Sequence, residues 1–300
     1  MADAAPEPSR LGAETLPFNG SRKTVLAFAV ESRQHLLNEN SWDEIMLELS
    51  ALDPSALLPF ILIGFAAQLV DGALGMAFGV ICNTLLVAVM GVPPATASAR
   101  VHVVEVFTTG VSGISHLIHR NIEWGLFFRL LVPGIIGGVT GAYLLSSIDG
   151  AVVKPIVLTY LILVGVWLLV RGLLYPPKIR KPKVIAPLGL VGGFLDAAGG
   201  GGWGPVVTSN LLVQGAEPRK VVGTVNSVEF FLTLAVSATF IWHLGLADIA
   251  GATLGLLIGG VIAAPMGAFM AKRFSPKLML ILVGVVLTLT SAFGLWRALI

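Results

Sequence analysis

Two long apolar stretches of the chain are each interrupted by an aspartate and a cluster of glycines. The first reads QLVDGALGMAFGV and contains Asp71 and Gly75; the second reads GFLDAAGGGGWGPVV and contains Asp196. A bilayer offers no hydrogen bonds to freed backbone groups, so such an interruption must be buried in protein or line a wet cavity. Two matching interruptions in the two halves of a chain are typical of a transporter's binding site.

The rest of the chain is as apolar as these stretches. Only 12% of the 300 residues are charged, against about 25% in soluble domains. Most uninterrupted apolar segments are close to the ~20 residues that span a bilayer as a helix. We therefore predict an all-α polytopic membrane protein. Its segments are expected at 55–90, 95–118, 125–146, 151–173, 185–214, 218–242, 247–271 and 277–297.

The two halves of the chain match each other in sequence. At an offset of 125, Asp71 falls on Asp196 and Phe78 on Trp203; at 124, Glu105 falls on Glu229. We predict a polar tail at 1–54 with a short amphipathic helix at 41–52, a first transmembrane repeat at 55–173, a basic cytoplasmic linker at 174–184 and a second repeat at 185–300.

The orientation of the repeats depends on whether each interrupted segment crosses the membrane. Eight crossings give parallel repeats, with lysines and arginines near membrane ends divided eight against seven. Six crossings and two re-entrant hairpins give inverted repeats, with a division of twelve against three. Because basic residues collect on the cytoplasmic side, we favour inverted repeats. Discontinuous helices with two short halves remain the alternative.

Two glutamates are the strongest candidates for chemistry. Glu105 belongs to a polar stripe at helical spacing, and Glu229 is its match in the second half. An ionised carboxylate at membrane depth costs roughly 2.5 kcal/mol or more, so its presence needs a reason. We predict proton or cation coupling; a structural role in tying helices together is the alternative. The other members of the stripe are Ser98, His102, Thr109, Ser112 and His116.

The glycine clusters favour a small anion. Bare glycine amides admit a ligand to the backbone, and a half-helix that begins after a break offers free N–H donors. Asp71 and Asp196 are interpreted, with Gly75, as caps or turn formers of the breaks. The predicted substrate-binding residues are Gly199, Gly200, Gly201, Gly202, Trp203, Ser209, Asn210, Asn226, Asn83 and His102.

The stretches LVDGALGMAFG, MGVPPATASARVHVVEVFTTGVSGISH and GLVGGFLDAAGGGGWGPVVTSNLL resemble the sulfite exporter TauE/SafE family. The first glycine run, LGMAFG, departs from the more usual glycine triplet. The resemblance implies export of sulfite or an organosulfonate across the bacterial plasma (inner) membrane by a multi-pass protein, without a cofactor. It covers about 57–297.

Two other functions stay open at this point. One is a cation or metal carrier that uses the intramembrane carboxylates. A metal set of His102, Glu105, His116 and His119 is disfavoured, because the second half lacks these histidines apart from the match of His119. The other is an intramembrane aspartyl-type enzyme with Asp71 and Asp196 as its pair. The expected partners are a small anion, the bilayer and, as an open question, a second copy in a homodimer; nucleic acid is not expected.

Overall fold

The computed structural model describes residues 54–300, except 75, 175–183, 214–217, 247–248, 250–252, 264–265 and 267–274. Within these ranges the chain folds into helices and contains no strand, so the prediction of an all-α membrane protein is confirmed. The tail helix predicted at 41–52, the linker residues 175–183 and Gly75 lie outside the described residues.

The helices follow the apolar segments closely. We number them α1 (Pro54–Leu74), α2 (Phe78–Thr84, continued by a π-helical turn at Leu85–Val89), α3 (Pro94–Ile118), α4 (Trp124–Ser147), α5 (Gly150–Leu173), α6 (Ala186–Gly199), α7 (Ser209–Val213, preceded by a π-helical turn at Trp203–Thr208), α8 (Pro218–Leu244), α9 (Thr253–Ala263) and α10 (Pro276–Leu299). Five of them, α3, α4, α5, α8 and α10, are long and apolar enough to cross a membrane.

Local sequence explains where several helices begin. Asp149 accepts a hydrogen bond from the amide of Ala151 at 2.7 Å and caps α5. Ser275 accepts from the amide of Leu278 at 3.3 Å and caps α10. Pro94 stands at the start of α3, where a missing amide hydrogen carries no penalty because that amide has no intrahelical partner.

Glycines allow two pairs of helices to pack backbone against backbone. In the α4–α6 seam, a Cβ added to Gly137 would overlap the Leu190 carbonyl oxygen, and one added to Gly193 would overlap that of Gly134. In the α1–α9 seam, Gly259 meets the carbonyl oxygen of Ile61 in the same way. Because the hydrophobic effect does not drive helices together in lipid, such close packing is a main source of helix–helix association.

Two further helix pairs, α3–α8 and α5–α10, run antiparallel. The Lys220 ammonium at the start of α8 donates to the carbonyl oxygen of Arg120, just beyond the end of α3, at 2.6 Å. In the other pair Gly165 lies against Thr288, whereas Gly172 lies against Ile281. The C-terminal end of α3 and the N-terminal end of α8 therefore lie at the same side of the molecule.

The close packing in the α4–α6 seam predicts how one added methyl group changes the stability of the protein. We expect Gly137→Ala to lower the free energy of unfolding by about 1–3 kcal/mol, because the rigid carbonyl of Leu190 occupies the space for its Cβ. Gly150→Ala is the control, since a Cβ there meets nothing within 4 Å. Thermal unfolding in detergent measures both; equal stability of the two variants would contradict the seam.

Candidate functional site

The two interruptions of the apolar stretches meet in the interior. The first comprises Met76 and Ala77, between α1 and α2; the second comprises residues 200–202, between α6 and α7. A Cβ added to Gly201 would overlap the Val80 amide nitrogen and lie 2.7 Å from the carbonyl carbon of Gly79. Gly201 also has a φ of 130°, which side chains rarely tolerate. The contact therefore requires glycine at 201.

Each interruption is capped by its own aspartate. Asp196 Oδ1 accepts from the amides of Gly202 at 2.7 Å and Trp203 at 2.9 Å. Asp71 Oδ1 accepts from the amide of Phe78 at 3.3 Å. In both cases the aspartate reaches the residue seven positions ahead, the first of the next helical segment. The backbone amides of Gly202 and Trp203, residues predicted from the sequence to bind an anion, are thus hydrogen-bonded to a carboxyl group of the protein.

His102 fastens the second aspartate to α3. Its side chain is fully buried, and its Nε2 lies 3.1 Å from Asp196 Oδ2. Its Nδ1 lies 2.8 Å from the carbonyl oxygen of Ser98, one turn earlier. The Ser98 hydroxyl donates to the carbonyl oxygen of Ala197 at 2.8 Å and so joins the same two helices. The second interruption is therefore held by side chains of α3.

A cavity of about 260 Å³ lies where the interruptions meet helices α3 and α8. Four carboxyl groups line it, and among the described residues no lysine or arginine does. The carboxyl residues are Asp71, Glu105, Asp196 and Glu229. Its other lining residues are Gln68, Met76, Ala77, Phe78, Gly79, Val80, Thr108, Thr109, Ser112, His116, Gly201, Gly202, Gly204, Pro205, Val222 and Asn226.

The two glutamates face this cavity from different helices. A Cβ added to Gly79 would lie 3.0 Å from Glu105 Oε1, so the carboxyl group sits against the start of α2. In the described part of the chain, neither Glu105 nor Glu229 makes a side-chain hydrogen bond. Beyond Glu105, Asn226 of α8 donates to the Ser112 hydroxyl of α3 at 2.9 Å and bridges the helices.

The structure divides the residues singled out in the sequence into two groups. Gly201, Gly202, Asn226, Glu105, Glu229, Asp71 and Asp196 line the cavity, whereas Gly199, Gly200, Trp203, Ser209, Asn210, Asn83 and His102 lie outside its lining. Trp203 is fully buried and donates from Nε1 to the Val225 carbonyl oxygen at 3.2 Å. Asn83 donates to the Gly199 carbonyl oxygen at 3.1 Å. The substrate-binding role of these residues stays a prediction.

Gln68 and Tyr160 are among the polar residues near the site that were not singled out in the sequence. Gln68 lies one turn before Asp71 and lines the cavity. The Tyr160 hydroxyl of α5 donates to the Gly201 carbonyl oxygen at 3.0 Å. Each is a polar side chain within a largely apolar helix, and that signal was available in the sequence. In the described ranges no three His, Cys, Asp or Glu side chains are grouped to hold a metal.

The caps predict unequal stability losses for the two aspartates. We expect Asp196→Ala to destabilise the protein by about 2–4 kcal/mol, because it leaves two buried amides and His102 without their partner. Asp71→Ala removes one long bond and is expected to cost about 1 kcal/mol. Thermal unfolding of the purified variants compares them; a larger loss for Asp71→Ala would refute the assignment.

Comparison with known proteins identifies the family. The family model for the sulfite exporter TauE/SafE matches residues 60–293. The probable membrane transporter protein YtnM of Bacillus subtilis is 44% identical over 245 residues, 79% of this chain and 81% of that protein. The probable membrane transporter protein YunE of the same organism is 30% identical over 116 residues, 37% and 42% respectively. No solved structure gives a significant match.

These matches confirm the resemblance seen in the sequence. They favour a membrane transporter over the intramembrane-enzyme alternative. The five apolar helices long enough to cross a bilayer agree with that role. The chain therefore belongs to the sulfite exporter TauE/SafE family and is a multi-pass membrane transporter of the bacterial plasma membrane.

Proposed function

We propose that the protein is a secondary transporter that exports a small sulfur-containing oxyanion, sulfite or an organosulfonate, with proton coupling through Glu105 and Glu229. The observation that carries this proposal is the cavity between the two interruptions, which both glutamates line. Its 260 Å³ falls just below the usual range for ligand pockets, about 300–1,000 Å³, and suits a small ion with a few waters. The family description supplies the substrate class.

The proposal includes inverted repeats with two re-entrant hairpins. With eight crossings, Arg120 and Lys220 would lie on opposite sides of the membrane, but Lys220 donates to the Arg120 carbonyl oxygen. Arg171, near the end of α5, donates to the Ser209 carbonyl oxygen of α7 at 3.0 Å. Since α5 leads through the linker into α6, this bond supports entry and exit of the α6–α7 segment on one side.

The cavity is interpreted as facing the cytoplasm. It extends along α3 from Glu105 to His116, a distance of about 16 Å at the helical rise per residue. His116 lies in the last turn of α3, on the linker side that the charge bias makes cytoplasmic. A cavity open towards the cytoplasm is the loading state of an exporter.

The acidic lining gives a physical reason for proton coupling. An anion about 4 Å from an ionised carboxylate is opposed by roughly 4 kcal/mol in a partly polar site. With no lysine or arginine among the described lining residues to offset this, the anion enters only when the carboxyl groups carry protons.

A cation carrier is the second candidate, and the same lining supports it. Four carboxyl groups without a lysine or arginine among the described lining residues make a cavity that attracts positive charge. In this version Glu105 and Glu229 bind the transported cation directly rather than a proton. The two candidates differ in cargo and in the response to neutral substitutions.

Transport by glutamine variants separates the candidates. We expect Glu105→Gln and Glu229→Gln each to weaken the pH dependence of methanesulfonate flux, because glutamine imitates a protonated glutamate. Methanesulfonate is chosen because it does not titrate near neutral pH, whereas sulfite does. Proteoliposomes with the full chain report the flux in mildly acidic and mildly alkaline media, with Glu123→Gln, exposed outside the cavity, as the control.

The outcomes of this experiment are distinct. The proposal is supported if the protein carries sulfite or methanesulfonate and the pH dependence of that flux is weaker in the two variants than in the wild-type protein. Oxyanion flux with an unchanged pH profile in both variants contradicts the coupling role of the glutamates. Flux of a divalent cation, abolished by either variant and without oxyanion flux, replaces the proposal with the cation carrier.

A further inference from the structure

We propose that Asp71 is a third proton-exchanging carboxyl group of the transport cavity, whereas its counterpart Asp196 is a fixed structural group neutralised by His102. This inference rests on the proposed proton-coupled function and extends it to a residue that the cap geometry alone would leave structural. The two aspartates match in sequence and in the residue that they cap. They differ in every other contact.

The hydrogen bonds around His102 make the His102–Asp196 pair neutral. Nδ1 faces the Ser98 carbonyl oxygen, which only accepts, so Nδ1 carries a hydrogen. The Ser98 hydroxyl already donates to Ala197 and offers no hydrogen to Nδ1. One proton then lies between Nε2 and Asp196 Oδ2. Whether it resides on nitrogen or oxygen, the two side chains together have no net charge.

Among the described residues Asp71 has no such neighbour. The one hydrogen bond to its side chain within these ranges, from the Phe78 amide, is 3.3 Å long, and the side chain is only partly buried. The sequence counterpart of His102 is Asn226, which donates to the Ser112 hydroxyl instead. An ionised Asp71 therefore places an uncompensated charge in the cavity, and a neutral Asp71 requires a proton of its own.

Gln68 provides an independent sign that a hydrogen-bond donor is held here. Its side chain is only 9% exposed and lines the cavity one turn before Asp71. Its Oε1 atom has no hydrogen-bond donor among the described residues. A buried acceptor without a donor costs about 1–3 kcal/mol. The O–H group of a protonated Asp71, one turn away, is the kind of donor that would satisfy it.

The charged surroundings of Asp71 make its proton matter for transport. The titratable groups that face the same space are Glu105 and His116 from α3, Asp196 from α6 and Glu229 from α8, with Cys82 of α2 nearby. With Asp196 neutralised by His102, three carboxyl groups repel an entering anion when ionised. Neutralising only Glu105 and Glu229 would leave the charge of Asp71 in its path.

Asp71→Asn tests this inference in transport. Asparagine keeps an oxygen that accepts from the Phe78 amide but cannot exchange a proton. We expect the ratio of methanesulfonate flux in acidic to that in alkaline medium to fall several-fold, because the alkaline block at residue 71 is removed. Asp71→Glu, which restores a titrating group, should recover the wild-type ratio. A wild-type pH profile in Asp71→Asn would overturn the proposal.

Infrared spectroscopy tests the same point without any cargo. Across a pH series, the wild-type protein should show a carboxylic C=O band that is absent in Asp71→Asn and present in Asp196→Asn. If Asp71→Asn does not fold, Gln68→Leu replaces it as the test. A shift of the C=O band in Gln68→Leu would show that the band comes from a carboxyl group beside Gln68. If the Asp71 band titrates but no oxyanion is transported, the proposed function is refuted and this inference is not. If the band is absent, this inference is refuted.

Discussion

The backbone contact between the two interruptions is the constraint on which the rest of the molecule depends. Gly201 approaches the backbone of Gly79 and Val80 so closely that no side chain fits between them. Freed backbone groups at membrane depth need partners within the protein. Asp71 and Asp196 supply these partners, and α3 and α8 surround the contact with Glu105 and Glu229. The cavity exists because the helices stop here and their ends must be enclosed.

Glycine seams hold the interrupted helices in position around this contact. The α4–α6 and α1–α9 seams each bring two backbones together along one helix face. The helices that carry the glutamates, α3 and α8, pack antiparallel and are joined by Asn226 and Ser112. The two kinds of helix pairing have different roles. Close-packed glycines hold the half-helices in position, whereas polar side chains of α3 and α8 line the cavity between them. A transporter that alternates access would move these units against each other.

Much of this arrangement was predictable from residue patterns, because membrane depth leaves few options. Helix positions followed from apolar length, and the choice of Glu105 and Glu229 as candidate residues followed from the cost of a carboxylate in lipid. The pairing of His102 with Asp196 was not predictable, because the residues are 94 positions apart and meet only through packing of α3 on α6. The buried positions of Trp203 and Asn83 were also missed, because the side-chain directions of a half-helix depend on how the break turns.

The central claim is that an anion crosses a cavity of carboxyl groups only together with protons. The most direct measurement is proton movement during methanesulfonate flux in proteoliposomes of the wild-type protein, followed with a pH-sensitive dye. The account predicts that an imposed methanesulfonate gradient drives protons in the same direction as the anion. Methanesulfonate flux without proton movement, or with protons moving the opposite way, would contradict it.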